Sequence, residues 1–151
     1  MGFRLRNDAK KWFQPIRENR DNNFDQDWDS YYYCLVAGLL SEQKSEATNT
    51  VEFNEGYTKR YLPRAKLLIG LFLSKEIKKM GVSFSEKKQV HKVISALIDP
   101  MSPNFLKDDG IKEFNKYAHA GFDELCDNME KPYTLEDFLI SFDNYVKKNN
   151  Y

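Results

Sequence analysis

Residues 59–79 read KRYLPRAKLLIGLFLSKEIKK, with an apolar middle and basic residues at both ends. The run 67–73 is the longest apolar run in the chain, but seven residues are too few to cross a bilayer. Pro63 suits the first turn of a helix, and Gly81 suits the position just after a helix ends. The stretch therefore predicts a helix over 63–80 whose apolar middle is core.

Five further helices are predicted from capping signals and from apolar residues at helical spacing. The first begins at Asn7 and stops or kinks at Pro15, because proline disfavours helical geometry in the residue before it. Two capping signals, Ser83-x-x-Glu86 and Thr134-x-x-Asp137, mark later starts. The remaining predicted helices cover 28–41, 85–99, 110–129 and 134–148.

The predicted fold is all-α, a single domain over 1–151 with five or six helices around a central buried helix. That central helix contains YYYCLVAGLL (31–40), which is apolar on nearly every side. Residues 3–6 are predicted to be extended, and the polar, acidic residues 42–56 to form a loop. No convincing strand pattern is present.

Composition favours a soluble, cytoplasmic protein. The N-terminus has no apolar segment of the kind that signal peptides carry. Cys34 and Cys126 lie in apolar helical patterns and are predicted to be reduced, buried thiols, with a disulfide as the alternative.

Charge is unevenly distributed along a chain whose net charge is zero. Residues 1–20 carry +4 and residues 57–92 carry +8, whereas residues 93–151 carry −5. Such segregation predicts attraction of a polyanion, although a merely solvated surface is an equal alternative. The candidate DNA contacts are the basic residues of two segments: Arg4, Arg6, Lys10, Lys11, Arg17, Lys59, Arg60, Arg64 and Lys66.

Catalytic and metal-binding motifs are absent from the sequence. His119 with Asp123, four residues later, could serve a small active site, but a packing role for this histidine is favoured. Adjacent carboxylates such as Asp108 and Asp109 diverge on a helix, so no metal site is predicted. We expect no catalytic residue and no cofactor.

Self-association is predicted from an excess of aromatic residues and from a glycine in the middle of the fifth helix. A mid-helix glycine costs about 1 kcal/mol relative to alanine, and close approach of another helix could offset this cost. The predicted oligomer interface consists of Tyr117, His119, Gly121 and Phe122. Alternatively, the aromatic rings fill the core of one chain.

Four stretches, in their order along the chain, resemble the DndE family of the DNA phosphorothioation machinery. They are FRLRNDAKKWF (3–13), TVEFNEGYTKRYLPRAKLLIG (50–70), EFNKYAHAGFDEL (113–125) and TLEDFL (134–139). The resemblance covers about two-thirds of the chain. This sequence is longer than the family's pattern, with additional residues near 42–50 and 99–110 and an extra C-terminal helix.

The resemblance implies an all-helical, homo-oligomeric accessory protein that binds duplex DNA, with a preference for nicked duplex. The corresponding residues would be Arg4, Arg6, Lys10 and Lys11, together with Lys59, Arg60, Arg64 and Lys66. Its partners would be other proteins of a DNA-modification or antiviral defence system. The alternative hypothesis is a helical adaptor that binds only proteins.

Overall fold

The computed structural model describes residues 1–151 and is mostly helical, as predicted. Two short strands, β1 (Phe3–Arg6) and β2 (Thr50–Asn54), form one sheet. A turn of 3-10 helix at Leu62–Arg64 leads directly into the third of six α-helices. These helices are α1 (Asn7–Arg17), α2 (Asp27–Ser41), α3 (Ala65–Lys79), α4 (Lys87–Leu97), α5 (Asp108–Asn128) and α6 (Leu135–Lys148).

The two-stranded sheet corrects the purely all-α prediction. The predicted extended segment 3–6 is β1, but its partner β2 lies within the predicted loop 42–56. The β2 sequence TVEFN alternates polar and apolar residues, but it does so over only five residues within a polar, acidic stretch. Val51 is exposed and Phe53 is half-buried, so the strand has no fully buried face.

Two of the predicted helix boundaries are confirmed by their capping geometry. Gly81, which follows the C-cap residue Met80 of α3, adopts a left-handed φ of 70°, a conformation that costs glycine little. The Thr134 hydroxyl accepts a hydrogen bond from the Asp137 N–H at 3.1 Å, which caps α6.

Two other boundaries differ from the prediction. α1 continues past Pro15 to Arg17, and the buried side chain of Ile16 anchors this last turn. α4 starts at Lys87 rather than at Ser85, because the hydroxyl of Ser83 accepts from the Ser85 N–H in a local turn. Such short side-chain-to-backbone bonds compete with helix formation.

The residues group into two compact units. The first unit comprises Met1–Arg4 and Glu52–Asn115, and the second comprises Leu5–Val51 and Lys116–Tyr151. The single-domain organisation and the central position of α2 stay predictions.

Within the second unit, α2 and α5 cross at two glycines. A Cβ on Gly121 would overlap the carbonyl oxygen of Cys34 and lie 2.7 Å from the Gly38 nitrogen. A Cβ on Gly38 would likewise overlap the carbonyl oxygen of Tyr117. Both positions therefore require glycine, because the two backbones approach more closely than any side chain permits.

The second unit also contains an aromatic cluster centred on the fully buried ring of Phe138. Ring centroids of Tyr33 and Phe13 lie 5.0 and 5.4 Å from it, at angles that favour edge-to-face attraction. Trp12, Phe24 and Phe142 complete the cluster. Many of the aromatic residues that suggested an oligomer thus pack inside one chain.

In the first unit, two buried asparagines hold the N-terminal residues in place. The Asn115 side chain accepts from the Arg4 N–H and donates to the Gly2 carbonyl, both at 3.1 Å. The Asn104 side chain donates to the carbonyl oxygens of Met1 and Glu55. Their amides give buried backbone groups hydrogen-bond partners.

α3 buries only part of its apolar sequence, which corrects the expectation that its middle is core. Leu68 and Phe72 are buried, whereas Leu67 is 74% exposed. A Cβ added at Gly70 would meet no atom within 4 Å. The basic residues at the ends of this segment therefore flank a helix with an exposed apolar face. None of the helices combines the length and hydropathy that crossing a membrane requires.

Candidate nucleic-acid interface

The charge asymmetry of the sequence coincides with the two structural units. The first unit contains 13 basic and 8 acidic side chains, a net charge of +5. The second contains 10 basic and 15 acidic side chains, a net charge of −5. A surface of one sign attracts a ligand of the opposite sign over several ångströms, so the first unit is the natural place for a polyanion.

Four of the predicted contacts, Lys59, Arg60, Arg64 and Lys66, are exposed and lie in the turn before α3 and in its first residues. The Arg64 guanidinium lies over the buried Tyr61 ring, 5.9 Å from its centroid. The first turn of α3 carries no acidic residue. The segment 59–66 thus brings four cations to the surface without a carboxylate in its own sequence.

Five further exposed lysines of the first unit were not among the predicted contacts. They lie in the last turn of α3 and in the first half of α4, and the two helices contact each other: Lys78, Lys79, Lys87, Lys88 and Lys92. The signal that could have identified them was the net charge of +8 over residues 57–92, because these lysines and the cations of segment 59–66 both contribute to it.

Arg6, one of the predicted DNA contacts, is committed to interactions within the second unit. Its guanidinium donates to Asp8 at 2.7 Å, to Asp123 at 2.8 Å and to the His119 carbonyl oxygen at 3.1 Å. It also lies over the Phe122 ring, and its side chain is only 19% exposed. We therefore withdraw Arg6 as a phosphate contact, because its donors already have partners.

The same cluster shifts two pKa values in the directions expected for an ion pair. The hydrogen bond to Asp8 is the main cause that raises the pKa of Arg6, and Asp123 adds to it. The hydrogen bond from Arg6 lowers the pKa of Asp8 below its ordinary value of 3.8. Both groups are charged at neutral pH, and the cluster fixes the start of α1 against α5.

We expect Asp8→Asn to make the stability of the protein less sensitive to acid. A carboxylate whose pKa is lower in the folded state stabilises the fold above its unfolded pKa, and this stabilisation is lost as the pH falls. The unsubstituted chain should therefore lose stability between about pH 5 and about pH 2, and Asp8→Asn should reduce that loss modestly. Urea midpoints measured across this range provide the test, with the exposed Asp127→Asn as the control; equal acid sensitivity in all three proteins would contradict the prediction.

The other N-terminal candidates occupy different settings. The Arg4 guanidinium lies 3.9 Å from the Glu52 carboxylate, in the first unit. Lys10, Lys11 and Arg17 line an open pocket of about 420 Å³ in the second unit, beside Glu18 and Asp27. Arg17 pairs with Asp27 at 3.6 Å, while its Nη1 is buried without a hydrogen-bond partner.

The predicted oligomer interface is corrected by burial. Tyr117, His119 and Phe122 are at most 6% exposed, and Gly121 contacts the α2 backbone of its own chain. Position 121 requires glycine because two helices of the same chain cross there. Because all four residues are buried within one chain, they are unavailable to a second copy of the folded protein.

Of the residues considered for catalysis, His119 is buried and Asp123 is exposed on the same helix. The Asp123 carboxylate pairs with Arg6, and no group of three or more His, Cys, Asp and Glu side chains is arranged to hold a metal ion. Both cysteines are free thiols, but Cys126 is exposed rather than buried as predicted. Loss of solvation raises the pKa of Cys34 and raises the pKa of Cys126 to about 11, so both thiols are protonated at neutral pH.

An apolar groove in the first unit was not predicted from the sequence. Its volume is about 420 Å³, and its lining joins α3 to the turn after α4: Lys66, Ile69, Gly70, Leu73, Ile98, Pro100 and Phe105. The residues come from two distant parts of the sequence, and the only local signal was the apolar character of α3.

No protein-family model matches this chain, and neither a curated protein nor a solved structure matches it. The resemblance to the DndE family stays a hypothesis based on the four sequence stretches.

Proposed function

We propose that this protein is a non-catalytic DNA-binding accessory protein that contacts the phosphate backbone without sequence specificity. The observation that supports this most directly is the net charge of +5 on the first unit, with exposed cations at the turn before α3 and along α4. Lys and Arg side chains of this kind neutralise phosphates and release counterions. Contacts to phosphates alone carry no direct sequence information.

The proposed contacts differ from the sequence-based set in one respect. Lys59, Arg60, Arg64 and Lys66 form the principal contact surface, and Arg4, Lys10, Lys11 and Arg17 are secondary candidates. Arg6 no longer belongs to the set, because it is held by Asp8 and Asp123.

The biological setting of the proposal rests on the sequence resemblance alone. On that basis the protein would serve a prokaryotic DNA-modification or phage-defence system together with other proteins. The proposed cytoplasmic location also rests on composition, and the proposed self-association also rests on the aromatic content of the sequence. Duplex DNA, including nicked duplex, would be its ligand.

We expect Lys59→Gln, Arg60→Gln and Arg64→Gln in one chain to weaken DNA binding and its dependence on salt. For the unsubstituted protein, the logarithm of the affinity should fall linearly with the logarithm of the salt concentration. Each lost phosphate contact should reduce the magnitude of that slope by about 1, so the triple variant should lose about 3. Fluorescence anisotropy with a labelled duplex at several salt concentrations measures both quantities.

The matched control removes the same number of positive charges from the second unit, as Lys131→Gln, Lys147→Gln and Lys148→Gln. It should keep the slope of the unsubstituted protein. Equal slopes for both triple variants, or the absence of any binding at about 50 mM salt, would reject the proposed function.

A protein–protein adaptor is the second candidate, and the apolar groove of the first unit favours it. Under this alternative the lysines only solvate the surface. DNA binding would then be absent, while association with a protein would remain.

A further inference from the structure

We infer that copies of this protein associate head to tail, with α6 of one copy seated in the apolar groove of the first unit of the next. This gives the proposed self-association a specific pair of surfaces and rests on that part of the proposed function, but not on DNA binding.

The groove has the character of a helix-binding site. It is lined by Ile69, Leu73, Ile98, Pro100 and Phe105, and Gly70 leaves open space on the exposed side of α3. Exposed apolar grooves rimmed by polar residues commonly mark interaction sites. A helix binds such a groove by burying the exposed apolar residues of one of its faces.

The α3 side of this groove is basic. Lys66 belongs to its lining, the exposed Arg64 lies just before α3, and Glu76 is the first acidic residue along the helix. Glu76 is buried, so it does not offset the positive charge on the outer face of α3. A matching helix should therefore combine apolar residues with carboxylates.

α6 provides that combination on its outer face. Ile140 is 62% exposed and Leu139 is 40% exposed, while Phe138 and Tyr145 bury the opposite face. Carboxylates are exposed around them, and no basic residue precedes Lys147 in the helix: Glu136, Asp137 and Asp143. With 14 residues, α6 is about 21 Å long, which is ample for a groove formed by two turns of α3.

The charges of the two units reinforce this pairing. The groove belongs to the unit of net charge +5 and α6 to the unit of net charge −5. Complementary potentials orient the encounter, and burial of the apolar residues then holds the complex. Because the two surfaces differ, the contact is heterologous, so a dimer retains one unoccupied groove and one unoccupied α6.

The test uses two full-length variants, each of which removes one surface. Gly70→Glu places a carboxylate at the groove, where a Cβ meets no neighbour within 4 Å. Ile140→Lys replaces an apolar side chain on the outer face of α6 with a positive charge, at a position that is already 62% exposed. Gln89→Glu, at an exposed position of α4 outside the groove, controls for the charge change of the first variant.

Sedimentation velocity at about 100 µM protein and low salt should show the unsubstituted chain and Gln89→Glu above the 17.8 kDa of one copy. Gly70→Glu alone and Ile140→Lys alone should each sediment as monomers. An equimolar mixture of these two variants should form a one-to-one complex, because each supplies the surface that the other lacks. Recovery of the complex also demonstrates that both variants are folded.

Three results would overturn the inference: an unsubstituted chain that stays monomeric, variants that associate as well as the unsubstituted chain, or a mixture that forms no complex. If the protein binds DNA but stays monomeric, head-to-tail association is rejected and the DNA-binding proposal is retained. If the copies associate head to tail but do not bind DNA, the DNA-binding proposal is rejected, head-to-tail association is retained, and the adaptor function is favoured.

Discussion

Gly121→Leu should lower the free energy of unfolding by more than about 4 kcal/mol, so that the helical circular dichroism signal is lost at a much lower urea concentration than in the unsubstituted protein. The added Cβ would overlap the Cys34 carbonyl oxygen, and the obstacle is helix backbone rather than a movable side chain. Since small domains are stable by only about 5–15 kcal/mol, a loss of this size removes a large part of the stability of the fold. Urea unfolding followed by circular dichroism measures it.

Gly70→Ala is the matched control for this substitution. Gly70 also lies inside a helix, but its Cβ would meet open space. It should stabilise the protein by roughly 0.5–1 kcal/mol, the ordinary gain from replacing glycine in a helix. A Gly121→Leu protein that unfolds cooperatively with nearly unchanged stability would show that α2 and α5 do not cross at this glycine. The sequence alone placed Gly121 in an oligomer interface, where its substitution would separate the copies and leave the helicity of each largely unchanged.

Phe138→Ala should lower the free energy of unfolding by about 3–5 kcal/mol. The ring is fully buried and contacts five other aromatic rings, so its removal leaves a cavity that rigid neighbours fill poorly. The edge-to-face contacts with Tyr33 and Phe13 are lost in addition to the buried area.

Tyr133→Ala is the control for the aromatic cluster, because Tyr133 is 66% exposed and just precedes α6. It should change stability by no more than about 0.5 kcal/mol. Chemical denaturation of the unsubstituted protein, Phe138→Ala and Tyr133→Ala compares their free energies of unfolding directly. Similar losses for Phe138→Ala and Tyr133→Ala would mean that the aromatic cluster is not a core.

The structure also separates two roles of basic residues that the sequence could not distinguish. Arg6 and Lys10 are both cations of the N-terminal segment, but Arg6 has two carboxylates and a carbonyl oxygen as partners, while Lys10 is exposed. Asp123, the distant carboxylate that pairs with Arg6, lies 117 positions away. A local pattern carries no information about such a pairing.

Local physical chemistry determined most of the secondary structure of this protein. Gly81 ends α3 because glycine enters the left-handed region at little cost, and Thr134 starts α6 because its hydroxyl replaces a missing backbone acceptor. Charge segregation was also visible in the sequence, because formal charges along a chain need no structure to be counted.

Tertiary structure decided which of these features are available to a partner. Gly121 suggested close helix approach, but the sequence did not specify whether the other helix was α2 or a second copy. The apolar run of α3 suggested core, whereas the fold buries Leu68 and Phe72 and leaves Leu67 exposed. Burial depends on contacts between residues that are distant in sequence, and these contacts exist only after the chain has folded.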